Sequence, residues 1–292
     1  MKHRFYSHDE LQTGVDGLPD THHLLYSACG PVPAPLLVWR HPETDDIMVR
    51  LTNMTPLTWE PFSMLVNARL DDSVIVDTLR LGATCVMAWG GREIVRASYL
   101  SALDMPPGLD LLQIARLSVV SSPYGAVPHI SECPLNIECH VDRIVDRGGY
   151  RTFWLIVDKM SLDEDILALP REVVLQHYHL YEVDRLHSST GGEQLRLGLG
   201  GALLECPSFP VGPKQGWYAT FPLWIDELSE EGYLSPAEKD QVVAWHDEWL
   251  MLFDELDNPE RAMLREHLTR VCSMLAWREW PALHEYMQAQ LK

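Results

Sequence analysis

The stretch that decides the fold reads Ile137-Glu138-Cys139-His140-Val141-Asp142-Arg143-Ile144-Val145, then Asp146-Arg147-Gly148-Gly149, then Tyr150-Arg151-Thr152-Phe153-Trp154-Leu155-Ile156-Val157. The first run alternates with period two, the pattern of a strand with one face turned to a core. The Gly-Gly pair supplies a tight turn, and the second run returns rich in β-branched and aromatic residues, so the whole predicts a hairpin. Upstream, Leu36-Leu37-Val38-Trp39 runs into Pro42-Glu43-Thr44-Asp45-Asp46 and comes back as Ile47-Met48-Val49-Arg50-Leu51, a second hairpin with a polar connection. Phe62 to Leu70 and Thr84 to Trp89 are further strands. Between them Ser73 to Gly82 predicts a short helix, opened by an Asp/Ser cap and closed by glycine. Many short strands with few helices between them predict a mainly β fold. They would form a Greek-key-like antiparallel barrel, closed or partly closed, because closure removes exposed edges.

The character changes after His187. The reading divides the chain into a barrel domain over 1–187, an irregular Gly/Pro-rich connector over 188–220 and a helical extension over 221–292. Ser235-Pro236-Ala237-Glu238 is a capping box with proline at the first helical position, and Val242, Trp245, Trp249, Leu252 and Leu256 recur on one face after it. Asn258-Pro259 opens another helix, with Leu264, Leu268, Val271 and Leu275 on its stripe, and Trp280-Pro281 ends or breaks it before a last short helix. Trp217, Trp224, Trp245, Trp249, Trp277 and Trp280, six of the ten tryptophans, lie in this tail, too many for a solvated appendage. It is expected to cover the barrel or complete a dimer; a lid over the site and a docking surface for a partner enzyme are the sharper alternatives.

The 292 residues carry 42 acidic and 23 basic side chains, a net charge of −19, which repels phosphate backbones and anionic lipid and so argues against nucleic acid and membrane partners. An anionic ligand would need local help from arginines, and Arg50, Arg69, Arg80, Arg92, Arg96 and Arg116 make the middle of the chain the place to expect it. The N-terminus has no apolar signal region and no stretch is long and apolar enough to span a bilayer, so a cytoplasmic protein is expected. Six scattered cysteines with no C-x-x-C pair read as buried or idle thiols. His177-x-His179 lacks a fixed third ligand and reads as hydrogen-bonded histidines, with no metal site expected.

The chain has no P-loop, no G-x-G-x-x-G, no G-x-S-x-G elbow and no H-E-x-x-H. What it has is an order of four segments. Asn53-Met54-Thr55-Pro56-Leu57-Thr58 resembles the Asn-x-x-Pro-x-Ser stretch of flavin reductase-like domains. Val76-Asp77-Thr78-Leu79-Arg80 resembles that family's Lys-Asp-Thr segment, with Val76 where lysine is common. Val127 to Cys139 resembles its Pro-x-Ile-x-Glu-Ser-x-x-x-Leu-Glu-Cys run, and His177 and Tyr181 have the spacing of the His and Tyr that close many such domains. The resemblance covers roughly Leu24 to Asp184. It implies an FMN-binding split β-barrel that forms a homodimer, with FMN, or FAD in its place, near the subunit interface and NAD(P)H as electron donor.

Carried over residue by residue, the resemblance puts Asn53, Thr55 and Thr58 against the ribityl chain, phosphate or ring edge. It puts Asp77, Thr78 and Arg80 at the phosphate, on a short helix N-terminus, and His177 and Tyr181 at the closing end. Taken by themselves, Asn53 to Thr58 would be an ordinary turn and Asp77-Thr78 a solvated helix face. Tyr124 and His129 are candidates for the catalytic side, because in the resembling family their loop lies near the substrate face of the flavin. The implied activity is an FMN-dependent oxidoreductase of the NAD(P)H:flavin reductase type that serves a partner oxygenase or a small-molecule substrate. A flavoenzyme dedicated to its own substrate, and a non-catalytic split-barrel binding or assembly module, are the alternatives.

Overall fold

The computed structural model describes residues 32–103, 105, 109–122, 125–170, 172–174, 181–187, 193–199, 202–204, 210–211, 216–252 and 258–290. Its strands are β1 (Val32–Pro33), β2 (Leu36–Arg40), β3 (Ile47–Leu51), β4 (Met54–Trp59), β5 (Phe62–Arg69), β6 (Thr84–Trp89), β7 (Val119–Val120), β8 (His129–Ile130), β9 (Leu135–Arg147), β10 (Tyr150–Leu162), β11 (Tyr181–His187), β12 (Glu193–Leu199), β13 (Ala202–Leu204) and β14 (Pro210–Val211). The helices are α1 (Ser73–Thr78), α2 (Val95–Ala102), α3 (Leu111–Ala115), α4 (Glu164–Leu167), α5 (Gly216–Glu230), α6 (Pro236–Leu252), α7 (Asn258–Ala276) and α8 (Trp280–Gln290).

Seven antiparallel strands form the main sheet in the order β3-β2-β6-β9-β10-β5-β4. The β9–β10 hairpin is longer than the sequence pattern showed, 13 residues in each arm, and turns at Gly148 with φ +59°, a conformation glycine adopts without Cβ strain. The outermost strands, β3 and β4, are consecutive in the chain and are joined by Thr52 and Asn53 alone. A connection that short forces the two edges together, so the sheet curls round an interior while the seam between β3 and β4 stays unladdered.

Period-two alternation then divides the strands between two cores. Leu37 and Trp39 of β2, Cys85 and Met87 of β6, Cys139, Val141, Phe153, Leu155, Met64 and Val66 point inward, plugged by Ile75, Val76 and Leu79 from and beside α1. Leu36 and Val38, Val86 and Ala88 point outward, and are buried just as fully against α2, α3 and the helices after residue 216. Each of the larger side chains among these contributes about 1.5–3 kcal/mol by leaving water.

The tail therefore packs within its own chain, and the architecture is mixed α and β; the expectation of a mainly β protein is corrected on this point. Helices of 15, 17, 19 and 11 residues follow Gly216 and share one core with the outer face of the barrel. The capping box forms as read: Glu238 Oε2 accepts from Ser235 N at 2.9 Å, and Glu238 N donates to Ser235 Oγ at 3.3 Å. Leu264, Leu268, Val271 and Leu275 are all buried. The break before α8 lies at Trp277 to Glu279, where Arg278 takes φ +56° and Glu279 N reaches back to Met274 O at 2.9 Å, a Schellman closure. The stretch read as an irregular connector, 188–220, contains β12, β13 and β14; β11 and β12 pair with each other in a smaller second sheet that also takes β1.

Trp277 locks the tail to the barrel side. Its Nε1 donates to Ile114 O at 2.9 Å, and its ring lies 5.6 Å from the Arg96 guanidinium and 5.0 Å from that of Arg116. Arg96 also donates to Ala276 O, and Arg116 pairs with Glu279 at 2.5 Å. Among the described cysteines, Cys85, Cys133, Cys139 and Cys272 are free and buried, and burial pushes the Cys85 thiol up to about 12.

Two outcomes follow for stability. Trp277→Ala removes ring packing, an indole hydrogen bond and two cation contacts at once, and is expected to lower urea-unfolding stability by about 3 kcal/mol. His246 of α6 is buried and stacked on Phe221 at 3.7 Å, and burial pulls its pKa below the ordinary 6.5 against the opposing pull of Asp247. The unfolded chain then takes up the proton first, so stability contributed by neutral His246 is present above pH about 6.5 and is lost as pH falls toward the folded value. Unfolding midpoints at pH 7.5 and 5 should differ more in the parent chain than in His246→Gln.

Candidate functional site

The seam is where the barrel leaves polar groups unsatisfied. Arg50 at the end of β3 is buried; its Nε donates to Asp72 Oδ2 at 3.3 Å, and its Nη1 donates to Leu103 O. Around this pair Thr52 Oγ1, Asn53 Oδ1 and Asp72 Oδ1 are enclosed with no hydrogen-bond partner. Each such atom costs about 1–3 kcal/mol while it stays unpaired, so three in and beside one two-residue connection make the seam a candidate place for a polar ligand.

The residues expected at a flavin fall in several places. Asn53 is half-buried in the seam, and Thr55 is exposed on β4. Thr58 sits at the far end of that strand, about 16 Å away along its axis. Its hydroxyl is held at the hairpin tip by Pro61 O at 2.5 Å and Ser63 Oγ at 2.6 Å. The helix read as Ser73 to Gly82 ends at Thr78, with Leu79 already extended. Asp72 precedes it without capping it through its side chain, because that carboxylate is turned to Arg50.

Thr78 therefore stands at the C-terminal end of α1, where the dipole disfavours an anion, and the expected phosphate site at a helix N-terminus is corrected. Its Oγ1 accepts from Trp39 Nε1 at 2.8 Å and donates to Val74 O. Val76 is buried in the barrel interior, which explains an apolar residue where a lysine resembles the family pattern: a cation there would be desolvated among Leu37, Met64 and Phe153. Asp77 and Arg80 are exposed. Tyr124 and His177 lie outside the described residues, and Tyr181 opens β11 with its side chain outside them.

The central arginines are mostly committed elsewhere. Arg50 is bound by Asp72, Arg69 by Asp71 at 2.9 Å, and Arg96 and Arg116 by the tail. Arg80, Arg92 and Arg116 are the exposed members of that group, and Arg116 is paired with Glu279.

A second cluster surrounds His129, which is buried on β8. Its Nε2 meets Glu138 Oε1 at 2.8 Å, and its Nδ1 lies 3.2 Å from Ser161 Oγ on β10. Glu138, also buried, accepts from the Ser122 hydroxyl as well, and Gly125 N donates to that same hydroxyl at 3.0 Å. Gly125 lies close against this carboxylate: a Cβ there would stand 2.7 Å from Glu138 Oε2 and would displace it. The ring's backbone is pinned by Asn136, whose Oδ1 accepts from Ile130 N at 3.0 Å while its Nδ2 donates to Cys133 O at 2.7 Å. The sequence singled out His129 but missed Ser122, Glu138 and Ser161; the available signal was a carboxylate set between Ile137 and Cys139 on a strand with period-two alternation.

With this geometry in place, comparison defines the class of fold. No protein-family model and no curated protein matches the sequence. Solved structures do match: component B of nitrilotriacetate monooxygenase from Bacillus cereus, at a TM-score of 0.52 and 15% identity over 70% of this chain and 98% of that one, is one of them. A split-barrel-domain protein of the flavin reductase type from Shewanella frigidimarina NCIMB 400 matches at 0.51 and 10% identity, over 70% and 99% of the two chains. The chain thus carries the split-barrel fold found in flavin reductases, as its sequence segments resembled. No helix among the described residues is long and apolar enough to cross a membrane.

Installing the missing lysine should cost stability. Val76→Lys places an unpaired charge in the barrel interior and is expected to lose about 3–5 kcal/mol in urea unfolding, with no gain in affinity for FMN.

Proposed function

We propose that this chain is a flavin-dependent oxidoreductase that holds the polar edge of FMN at the seam between β3 and β4. The observation that supports this most is the enclosed, unpartnered pair Thr52 Oγ1 and Asn53 Oδ1, in the segment whose sequence resembles the flavin-contacting stretch and in a fold that flavin reductases share. An isoalloxazine edge offers one N–H donor between two carbonyl acceptors. A hydroxyl and an amide answer both kinds of group. The residues present fit that edge: Thr52 and Asn53 would hold it, and Thr55, exposed one step along, would face the ribityl hydroxyls. Arg80 is the exposed cation for the phosphate, in place of a hydroxyl at Thr78.

Flavin, when bound, supplies an acceptor for the hydride of NADH or NADPH. The chain's own part is to bind and orient the ring and to keep water from one face of it. The reading includes a homodimer, supported by edge strand β4, where Leu57 is 40% and Trp59 81% exposed beside an open strand edge. The electrons would pass to a small molecule or to a partner oxygenase. The inward turn of Thr78 and the apolar Val76 favour a second reading, a split-barrel module that binds a partner without flavin.

One titration separates the two. FMN added to the purified chain is expected to bind, with a shifted visible spectrum that bleaches on addition of NADH or NADPH. Asn53→Ala should weaken binding about tenfold, the worth of one hydrogen bond. A spectrum identical to that of free FMN at every protein concentration overturns the flavin reading. Multiple turnover of added FMN marks a reductase; a flavin that stays bound through turnover marks an enzyme with its own substrate.

A further inference from the structure

Outside the seam, Ser161, His129 and Glu138 form a series of hydroxyl, imidazole and carboxylate that the flavin reading does not use. A carboxylate only accepts, so in the neutral ring the contact of 2.8 Å from Glu138 Oε1 puts the proton on His129 Nε2 and leaves the lone pair of Nδ1 directed at Ser161 Oγ, 3.2 Å away. The base is held through its carboxylate partner and through its own strand. Glu138 is fixed by Ser122 and packed against Gly125, and the strand carrying His129 is pinned by Asn136. The imidazole and the carboxylate are buried, whereas Ser161 is exposed on β10, so the one group that would meet a substrate is the one solvent reaches.

We propose that Ser161 is a nucleophile toward activated acyl esters, with His129 as its general base and Glu138 as the positioning residue that sets the tautomer of the base. Ser161 Oγ bonds to the acyl carbon as its proton passes to His129 Nδ1. The bond to the leaving alcohol or thiol breaks, and that group departs with the proton. Water, deprotonated by the same nitrogen, then cleaves the acyl-serine to a carboxylic acid and restores the hydroxyl. The exposure of Ser161 sets the substrate class: a site open to water acts on acyl groups with good leaving groups, aryl esters and thioesters, ahead of amides. The site is independent of flavin.

A fluorophosphonate probe tests it on the full chain. Peptide mapping by mass spectrometry is expected to find one adduct, on Ser161, and p-nitrophenyl acetate to release a stoichiometric burst. Ser161→Ala, a change at an exposed position, should remove both while leaving FMN titration unchanged. His129→Gln should slow labelling at least about 100-fold, the usual worth of a general base, and Glu138→Gln should slow it by about tenfold or more. An unlabelled Ser161, or one labelled as fast in His129→Gln as in the parent chain, overturns the proposal. If His129→Gln does not fold, the parent chain decides alone: a Ser161 adduct that forms no faster than in the urea-unfolded chain is equally fatal.

Discussion

Two residues, Thr52 and Asn53, hold the two outer edges of a seven-stranded sheet together, and the rest of the molecule depends on that constraint. A longer connection would let the sheet stay open; this one curls it, encloses Trp39, Met64 and Phe153, and leaves a line along which no ladder runs. The same two residues therefore do opposite things. Their backbone closes the barrel, while their side chains are left with polar atoms that closure does not satisfy. Three of the four enclosed, unpartnered side-chain atoms among the described residues thus belong to Thr52, Asn53 and Asp72, in and beside the seam.

Much of this was legible in the sequence, and the limits of the reading have physical causes. The 137–157 hairpin, the capping box at Ser235 and the buried stripe of α7 were all visible, because each rests on local chemistry: period two, a Ser-Glu reciprocal bond, apolar residues at three and four. The mixed architecture was not, since a helical tail reads the same whether it packs on its own barrel or on a second copy. The decision lies with Trp277, whose partners Arg96, Ile114 and Arg116 are some 160 to 180 positions away.

At the candidate site, resemblance pointed to Asn53 and Thr78, and the structure sets Thr78 at the C-terminal end of its helix instead of at an N-terminus. The motif gave a hydroxyl at the right place in the chain but not its direction, and direction was set by Trp39, whose indole needed an acceptor inside the barrel. The helix does start at Ser73, but its cap differs for a similar reason: Asp72 has the right residue type, yet Arg50 is buried beside it, and a buried guanidinium holds a carboxylate more strongly than a backbone amide does. The Glu138 cluster was hidden because its members come from a loop and three strands, which only the folded sheet makes neighbours.

Strands β2 and β6 have no free face: Leu37, Trp39, Cys85 and Met87 serve the barrel interior, and Leu36, Val38, Val86 and Ala88 serve the helical layer. Inheritance of the two parts is thereby coupled. A lineage that shed the helices would bare four aliphatic side chains to water and would be free, even pressed, to make them hydrophilic; one that kept the helices could change neither parity of these strands without disturbing one side or the other. The helical layer is thus recorded in the barrel's own composition, in two short runs that both precede the first of its helices.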